Sequence, residues 1–163
     1  MERKTKVHAE DGKQDILITR EFDLPVELLF QAHVDPDIIE QWMGSKALKL
    51  EGKKHGSWQL EKKDDKGHVV FAANGVFHDF VPNQKITRTF EMENTPFGAQ
   101  LEFLEFEKMT DDTSKLTMHI VYRSAALREM VLKMPFAHGI NMAHNRLQEV
   151  LCEVGKWTIE QRP

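Results

Sequence analysis

The first regular pattern in the chain is an alternation of apolar and polar residues over Asp15–Phe22, with Ile16 and Ile18 on the apolar side. Successive side chains of a β-strand point to opposite faces, so an alternation of period two predicts a strand that is buried on one face. Pro25 follows closely and suits the first turn of a helix. The pattern therefore predicts a strand that leads directly into a helix.

Two short helices are predicted after this strand. Apolar residues recur at helical spacing over residues 26–34, and a second helical segment with Trp42 on its apolar side begins at Asp35 and Pro36. Proline is favoured at the first position of a helix and glycine just after its end. We therefore expect the second helix to begin at Pro36 and to end at Gly44.

The middle of the chain, residues 45–122, has the regular alternation of strand-like and turn-forming segments that is typical of antiparallel strands. Turn-forming Gly, Asn and Asp residues separate short segments rich in β-branched and aromatic residues, and consecutive segments joined by such turns pair in antiparallel fashion. Local irregularities are expected at Asn74-Gly75 and at Phe103-Leu104, where the apolar phase slips. The predicted strands are Lys46–Glu51, Ser57–Lys62, Val69–Phe80, Lys85–Met92, Gln100–Lys108 and Lys115–Arg123.

The end of the chain changes to a helical pattern. A short helix is predicted over Ala125–Lys133, before Pro135. Beyond it, apolar residues step by three or four positions over about five turns, which is typical of an amphipathic helix. These apolar positions are Phe136, Ile140, Ala143, Leu147, Val150, Leu151 and Val154.

These elements predict an α+β fold, in which the apolar face of an antiparallel sheet packs against the apolar stripe of the long C-terminal helix. The chain has no internal repeat and no linker that divides it. We expect a flexible leader over residues 1–13, a single domain over residues 14–158 and a short tail over residues 159–163.

Composition and charge exclude several classes of protein. The net charge of −4 argues against nucleic acid as the partner, because such proteins need a basic face. The single cysteine, Cys152, permits no internal disulfide. No apolar stretch is long enough to span a bilayer, and residues 1–14 contain no apolar run typical of a signal peptide. These features predict a cytoplasmic protein without a membrane span.

Several segments together resemble the family related to the activator of the Hsp90 ATPase, within the START-like or Bet v 1-like superfamily. The resemblance covers roughly residues 16–154 and implies a helix-grip fold, in which a curved antiparallel sheet grips the long helix around a cavity. The segments that carry it are Ile18–Pro25, Leu29–Pro36, Gly56-Ser57-Trp58, Gly75-Val76-Phe77, Ile86–Phe90 and Asn145-Arg146-Leu147.

A set of aromatic and methionine residues is the strongest candidate for a site. Methionine adapts to irregular spaces, and apolar pockets with few polar groups are typical of small-molecule sites. Arg88, Tyr122, His138 and Asn141 are the candidates for polar groups that orient a ligand. The full set of expected cavity-lining residues is Trp42, Trp58, Phe71, Phe77, Arg88, Phe90, Met92, Met118, Tyr122, Met134, His138, Asn141 and Met142.

Catalytic and metal-binding motifs are not evident. The sequence has no phosphate-binding glycine loop and no Gly-x-Ser-x-Gly elbow, and its eight histidines form no pair with metal-ligand spacing on a helix. Most of the strand carboxylates, a set that includes Glu102, are expected on the outer face of the sheet. Arg88 stands in phase with apolar neighbours, so it points either to an acidic partner or anionic ligand, or to solvent at a sheet edge.

Three functions are compatible with this pattern. The first is binding of a small hydrophobic or aromatic molecule between the sheet and the long helix, with no cofactor and no metal. The second is a cyclase-like, hydrolase-like or dehydratase-like enzyme that uses Tyr122, His138 or a carboxylate as acid or base. The third is regulation of an Hsp90-type chaperone or another protein, and a homodimer is compatible with all three.

Overall fold

A computed structural model describes residues 3–160 of the chain, and the side chains up to residue 153. Four helices and eight strands make up the described region. In chain order these are β1 (Lys6–His8), β2 (Asp15–Phe22), α1 (Val26–Gln31), α2 (Pro36–Met43), β3 (Lys46–Leu50), β4 (Ser57–Lys63), β5 (Val69–Val81), β6 (Lys85–Met92), β7 (Ala99–Lys108), β8 (Ser114–Val121), α3 (Ala125–Lys133) and α4 (Phe136–Glu160).

The eight strands form one antiparallel sheet in the order β1-β2-β8-β7-β6-β5-β4-β3. Strands β3 to β8 are joined by turns to their neighbours, whereas β2 pairs along its whole length with β8, which is remote from it in sequence. The sheet curves around α4, and the predicted helix-grip fold is confirmed. None of the helices within residues 3–160 combines the length and the apolar character that a membrane crossing requires.

Strand β1 lies within the segment for which the sequence predicted only a leader. It pairs with β2, with Lys6 opposite Thr19. Thr5, just before β1, donates its backbone N–H to Oδ1 of Asn141 in α4 at 2.9 Å. These bonds tie the beginning of the described chain to both the sheet and the long helix. A strand of three residues is too short to show an alternation that predicts it.

The core lies between the concave face of the sheet and the two helices α2 and α4. From α4, Leu147 and Leu151 are completely buried, and Trp42 of α2 packs beside them in the same cluster. The indole N–H of Trp42 donates to the carbonyl oxygen of Ala32 at 2.8 Å, which anchors α2 to the end of α1. Val154, the last apolar position predicted for α4, lies outside the described side chains.

Gly75 is required by close packing rather than by a bend. A Cβ atom at this position would lie 1.9 Å from the carbonyl oxygen of Thr89 and 2.6 Å from the indole ring of Trp58. The register shift between β5 and β6 falls instead between Phe77 and Asp79. The absence of a side chain at Gly75 therefore leaves room for the indole of Trp58, its partner on the neighbouring strand.

The bulge expected at Phe103-Leu104 is absent, because β7 pairs without a register shift with both β6 and β8. The slip in the apolar phase has another cause. Phe103 lies on the outer face of the sheet, where its ring stacks 5.8 Å from that of His119. Glu102 takes the inner face, where it is 3 % exposed.

The N-terminal cap of α2 provides a first prediction. The carboxylate of Asp35 accepts hydrogen bonds from the backbone N–H groups of Asp37 at 2.9 Å and Ile38 at 3.2 Å. Loss of such a cap costs about 1 kcal/mol. We expect Asp35→Ala to lower the free energy of unfolding by that amount in urea denaturation, and Asp35→Ser to restore most of it. An unchanged midpoint in Asp35→Ala would contradict this assignment.

Candidate ligand-binding cavity

A cavity of about 400 Å³ lies between the inner face of the sheet and the helices. Strands β2 to β8 form its floor, α2 forms one side, and the end of α3 with the first turns of α4 forms the other. The side chains of the sheet and of the helices do not fill the space between the two layers here. The wall is largely aromatic and aliphatic.

Nine of the residues expected from the sequence line this cavity. They come from α2, four different strands, the end of β8 and the junction of α3 with α4, so only the folded chain brings them together. They are Trp42, Trp58, Phe77, Arg88, Phe90, Met92, Met118, Tyr122 and Met134.

Four expected residues lie elsewhere. Phe71 packs at the margin of the core, and His138 is exposed on the first turn of α4. Met142 is exposed in an outer groove. Asn141 turns toward the beginning of the chain, where its Oδ1 accepts from the N–H of Thr5. The residues of α4 that face the cavity are instead Phe136, Ile140, Ala143 and His144, which form a stripe at helical spacing. His138, Asn141 and Met142 lie outside this stripe.

The polar centre of the cavity is an ion pair between neighbouring strands. Nε of Arg88 donates to Oε1 of Glu102 at 2.8 Å, and Nε2 of Gln100 donates to Oε2 of Glu102 at the same distance. The guanidinium lies over the rings of Trp58 and Phe90, 5.5 and 6.0 Å from their centroids. Arg88 therefore points inward, as one of the two sequence hypotheses stated, and its partner is an acid of the protein.

Glu102 is an exception to the expectation that most strand carboxylates lie on the outer face. Register explains its position, because Glu102 lies directly opposite Arg88 in the antiparallel pair of β6 and β7. Residues that face each other across two strands share one face of the sheet. The break in the apolar pattern of β7 was the available sign that a polar residue enters the interior.

His33, which the sequence analysis did not propose, also lines the cavity. It follows α1, is 6 % exposed, and its Nδ1 lies 2.9 Å from the carbonyl oxygen of Leu29. Because a carbonyl only accepts, Nδ1 carries the proton and Nε2 carries a lone pair. Burial, with a smaller contribution from the positive charge of Arg88, lowers the pKa of His33 to about 4, and this outweighs the opposing effect of the bond to Leu29. The imidazole is therefore neutral at pH 7.

His144 is a second neutral histidine at the cavity wall, and it too was not proposed from the sequence. Burial, followed by the charges of His33 and Arg20, lowers its pKa to about 3. Its Nδ1 lies 2.8 Å from the hydroxyl oxygen of Thr5, and its ring packs edge-on against Phe22 at 5.5 Å. The segment around β1 thus fixes the orientation of a residue in the cavity wall.

Tyr122 completes the polar groups. It is 3 % exposed, and burial together with the negative charge of Glu102 raises the pKa of its phenol. The phenol is therefore protonated at neutral pH. Within residues 3–160, no three His, Cys, Asp or Glu side chains are grouped as the ligands of a metal ion. Perturbed groups gathered in one apolar cavity are typical of a functional site.

The fold and the cavity between its sheet and helices define a helix-grip protein of the START-like or Bet v 1-like class. The family model for the Activator of Hsp90 ATPase homolog 1-like protein matches residues 23–152 of this chain. The chain therefore belongs to this family, and the resemblance found in the sequence is confirmed.

Solved structures of bacterial proteins share the fold. A Rhodobacter sphaeroides protein superposes with a TM-score of 0.81 at 17 % identity, covering 92 % of this chain and 99 % of that one. A Mycobacterium smegmatis protein has a TM-score of 0.77 at 20 % identity, covering 90 % and 95 %. An Arthrobacter aurescens protein has a TM-score of 0.79 at 16 % identity and covers 91 % of both chains. No curated protein matches in sequence.

Proposed function

We propose that this protein binds a small apolar or aromatic molecule in the cavity between the sheet and α4. The observation that carries the proposal is the cavity itself, which has a volume of about 400 Å³ and a wall made mainly of aromatic, aliphatic and methionine side chains. Ligand pockets span roughly 300–1,000 Å³ and are predominantly apolar with a few polar groups. Arg88, Glu102, His33 and Tyr122 are those polar groups here.

The location of binding is tested with a cavity-filling variant. Ile140 lines the cavity, whereas Ala137, one turn earlier on α4, is exposed. We expect Ile140→Trp to weaken binding of the uncharged fluorescent probe N-phenyl-1-naphthylamine by at least about tenfold, because the indole occupies the ligand's space. Ala137→Trp adds an indole to the same helix outside the cavity and should leave the affinity unchanged. Equal affinity in both variants, with both folded, would place the probe elsewhere.

Native mass spectrometry of the purified protein tests the proposal without a chosen probe. A co-purified apolar molecule that is retained by the wild type and lost from Ile140→Trp would support it. If the wild type carries no molecule and binds no aromatic probe, the proposal fails.

A second candidate, acid–base catalysis on the bound molecule, is favoured by one observation. His33 is neutral, lines the cavity, and has no hydrogen-bond partner for Nε2 within the described residues. A lone pair that faces an apolar cavity is suited to accept a proton from a bound molecule. Extracts of the expression host incubated with the protein test this idea. Conversion of a metabolite by the wild type and not by His33→Phe would support catalysis, and conversion by neither would leave binding alone.

The family name alone does not assign a chaperone partner, because proteins of one fold serve many functions. A cytoplasmic location is part of the proposal and is supported by the single cysteine. Fractionation of the native host with an antibody to this protein would test it.

A further inference from the structure

The N-terminal strap, which comprises residues 3–8, is attached to the rest of the protein mainly by polar contacts. It contains β1, the edge strand of the described sheet, which pairs with β2. Among the described residues no buried side chain precedes Ile16, and the strap contributes to the core only the half-buried Val7. Segments with few buried apolar contacts open at a lower free energy than the core. The strap is therefore expected to detach while the rest of the chain stays folded.

Thr5 makes the central contacts of the strap. Its backbone N–H donates to Oδ1 of Asn141 at 2.9 Å, and its hydroxyl oxygen lies 2.8 Å from Nδ1 of His144. The same hydroxyl accepts a hydrogen bond from Nη1 of Arg20 at 3.3 Å, and this nitrogen also donates to Oδ1 of Asn145 at 2.9 Å. Thr5 therefore joins the strap to both β2 and α4. Arg20 and His144 are buried, with 4 % and 1 % of their surface exposed.

His144 connects these contacts to the cavity, because it bonds to Thr5 and also lines the cavity wall. When the strap detaches, His144 and Arg20 lose the hydroxyl of Thr5. Leaving a buried polar group without a partner is costly, so water replaces the hydroxyl. This water enters between β2 and α4, beside the apolar wall. The detached state thus has a wetter cavity wall and a less ordered imidazole than the docked state.

Resting on the proposed function, we propose that the docked strap and a ligand in the cavity stabilise each other through His144. A ligand that packs against the imidazole holds it in the orientation that Thr5 requires, and docked Thr5 holds it in the orientation that the ligand requires. Whichever binds first orders this turn of α4, so the second binds at a smaller cost in conformational entropy. Detachment of the strap therefore weakens ligand binding, although no residue of the strap lines the cavity.

Hydrogen exchange of the wild-type protein measures this coupling at the strap. We expect saturation with N-phenyl-1-naphthylamine to slow the amide exchange of residues 3–10 about fivefold, a modest value for coupling between two sites. The exposed turn at residues 64–67 lies outside the cavity lining and should exchange at an unchanged rate. In Ile140→Trp, whose cavity is filled, the probe should leave the exchange of the strap unchanged.

Two substitutions in the strap measure the same coupling at the ligand, since coupling between binding equilibria is reciprocal. Thr5→Val removes the hydroxyl that contacts His144, whereas Val7→Ser weakens docking and keeps that hydroxyl. Each should lower the affinity for the probe about fivefold in a fluorescence titration. Thr5→Ser retains the hydroxyl, and Lys6→Gln alters an exposed side chain of the strap, so both should keep the wild-type affinity. Circular dichroism verifies that each variant is folded.

The outcomes separate this inference from the proposed function. If the wild type binds the probe and Ile140→Trp does not, but the exchange of the strap is unchanged by the probe, the coupling is overturned and the proposed function stands. Faster exchange of the strap with the probe also overturns the coupling. Loss of affinity in Thr5→Val with wild-type affinity in Val7→Ser would mean that the hydroxyl acts on His144 alone, and this too overturns it. A wild type that binds no probe overturns both. If Thr5→Val does not fold, the wild-type exchange and Val7→Ser still decide.

Discussion

Replacing Glu102 by alanine is expected to lower the free energy of unfolding by about 3–5 kcal/mol, because the charge of Arg88 would remain in an apolar cavity without its partner. Glu102 is 3 % exposed and its ion pair with Arg88 measures 2.8 Å, so solvent does little to screen the interaction. Guanidinium chloride denaturation followed by tryptophan fluorescence measures the loss.

The matched control is Glu105→Ala, which removes an exposed carboxylate from the same strand and should change stability by no more than about 0.5 kcal/mol. The double variant Arg88→Met with Glu102→Leu tests the cause. Removing both charges together and filling their volume is expected to recover most of the loss, because a buried ion pair is commonly no more stable than its apolar replacement. A double variant as unstable as Glu102→Ala would show that packing, rather than the unpaired charge, is responsible.

Most of the fold could be predicted from the sequence because most of its elements have a local sign. Alternation over β2 and β6, the proline and glycine at the ends of α2, and the three-to-four spacing of α4 are properties of neighbouring residues. Strand β1 has no such local sign, since its place in the sheet depends on pairing with β2 and on the bond from Thr5 to Asn141. These partners are remote in sequence.

The residues that line the candidate site could be predicted better on the strands than on the helices. On β6, Arg88, Phe90 and Met92 share one face at period two, and all three line the cavity. On α4, the apolar stripe predicted the side that faces the sheet, and the polar candidates His138 and Asn141 lie off that stripe.

The residues that the sequence analysis missed are those whose environment comes from tertiary contacts. Glu102 enters the interior because the register of β6 and β7 places it opposite Arg88. His33 is buried between Trp42 and Phe106, 5.5 and 5.3 Å from their rings, and each of these comes from a different element. A solitary histidine in a loop has no pattern that distinguishes it from an exposed one. Only assembly of the fold determines its charge.

Acidification is expected to destabilise the protein through these histidines. In the folded state the pKa values of His33 and His144 are lowered to about 4 and about 3, whereas a histidine of the unfolded chain has a pKa near 6.5. Below pH 6.5 the unfolded chain therefore binds protons that the folded chain does not, so stability is complete above this pH and falls as the pH decreases. Each histidine contributes roughly 1.4 kcal/mol per pH unit, and we expect a loss of about 4 kcal/mol between pH 7 and pH 5.

Urea denaturation at half-unit steps from pH 7.5 to pH 4.5 gives this slope. His33→Phe and His144→Phe should each reduce the slope by about half, whatever they do to the absolute stability, because each removes one of the two protons taken up on unfolding. His138→Gln removes an exposed histidine of α4 and controls for the loss of one imidazole. The carboxylate of Asp15, whose pKa is lowered mainly by its hydrogen bond with His119, loses its contribution only in more acidic solution. A slope in His33→Phe equal to that of the wild type would mean that His33 is protonated in the folded protein, and its Nε2 would then no longer be available to accept a hydrogen bond from a ligand.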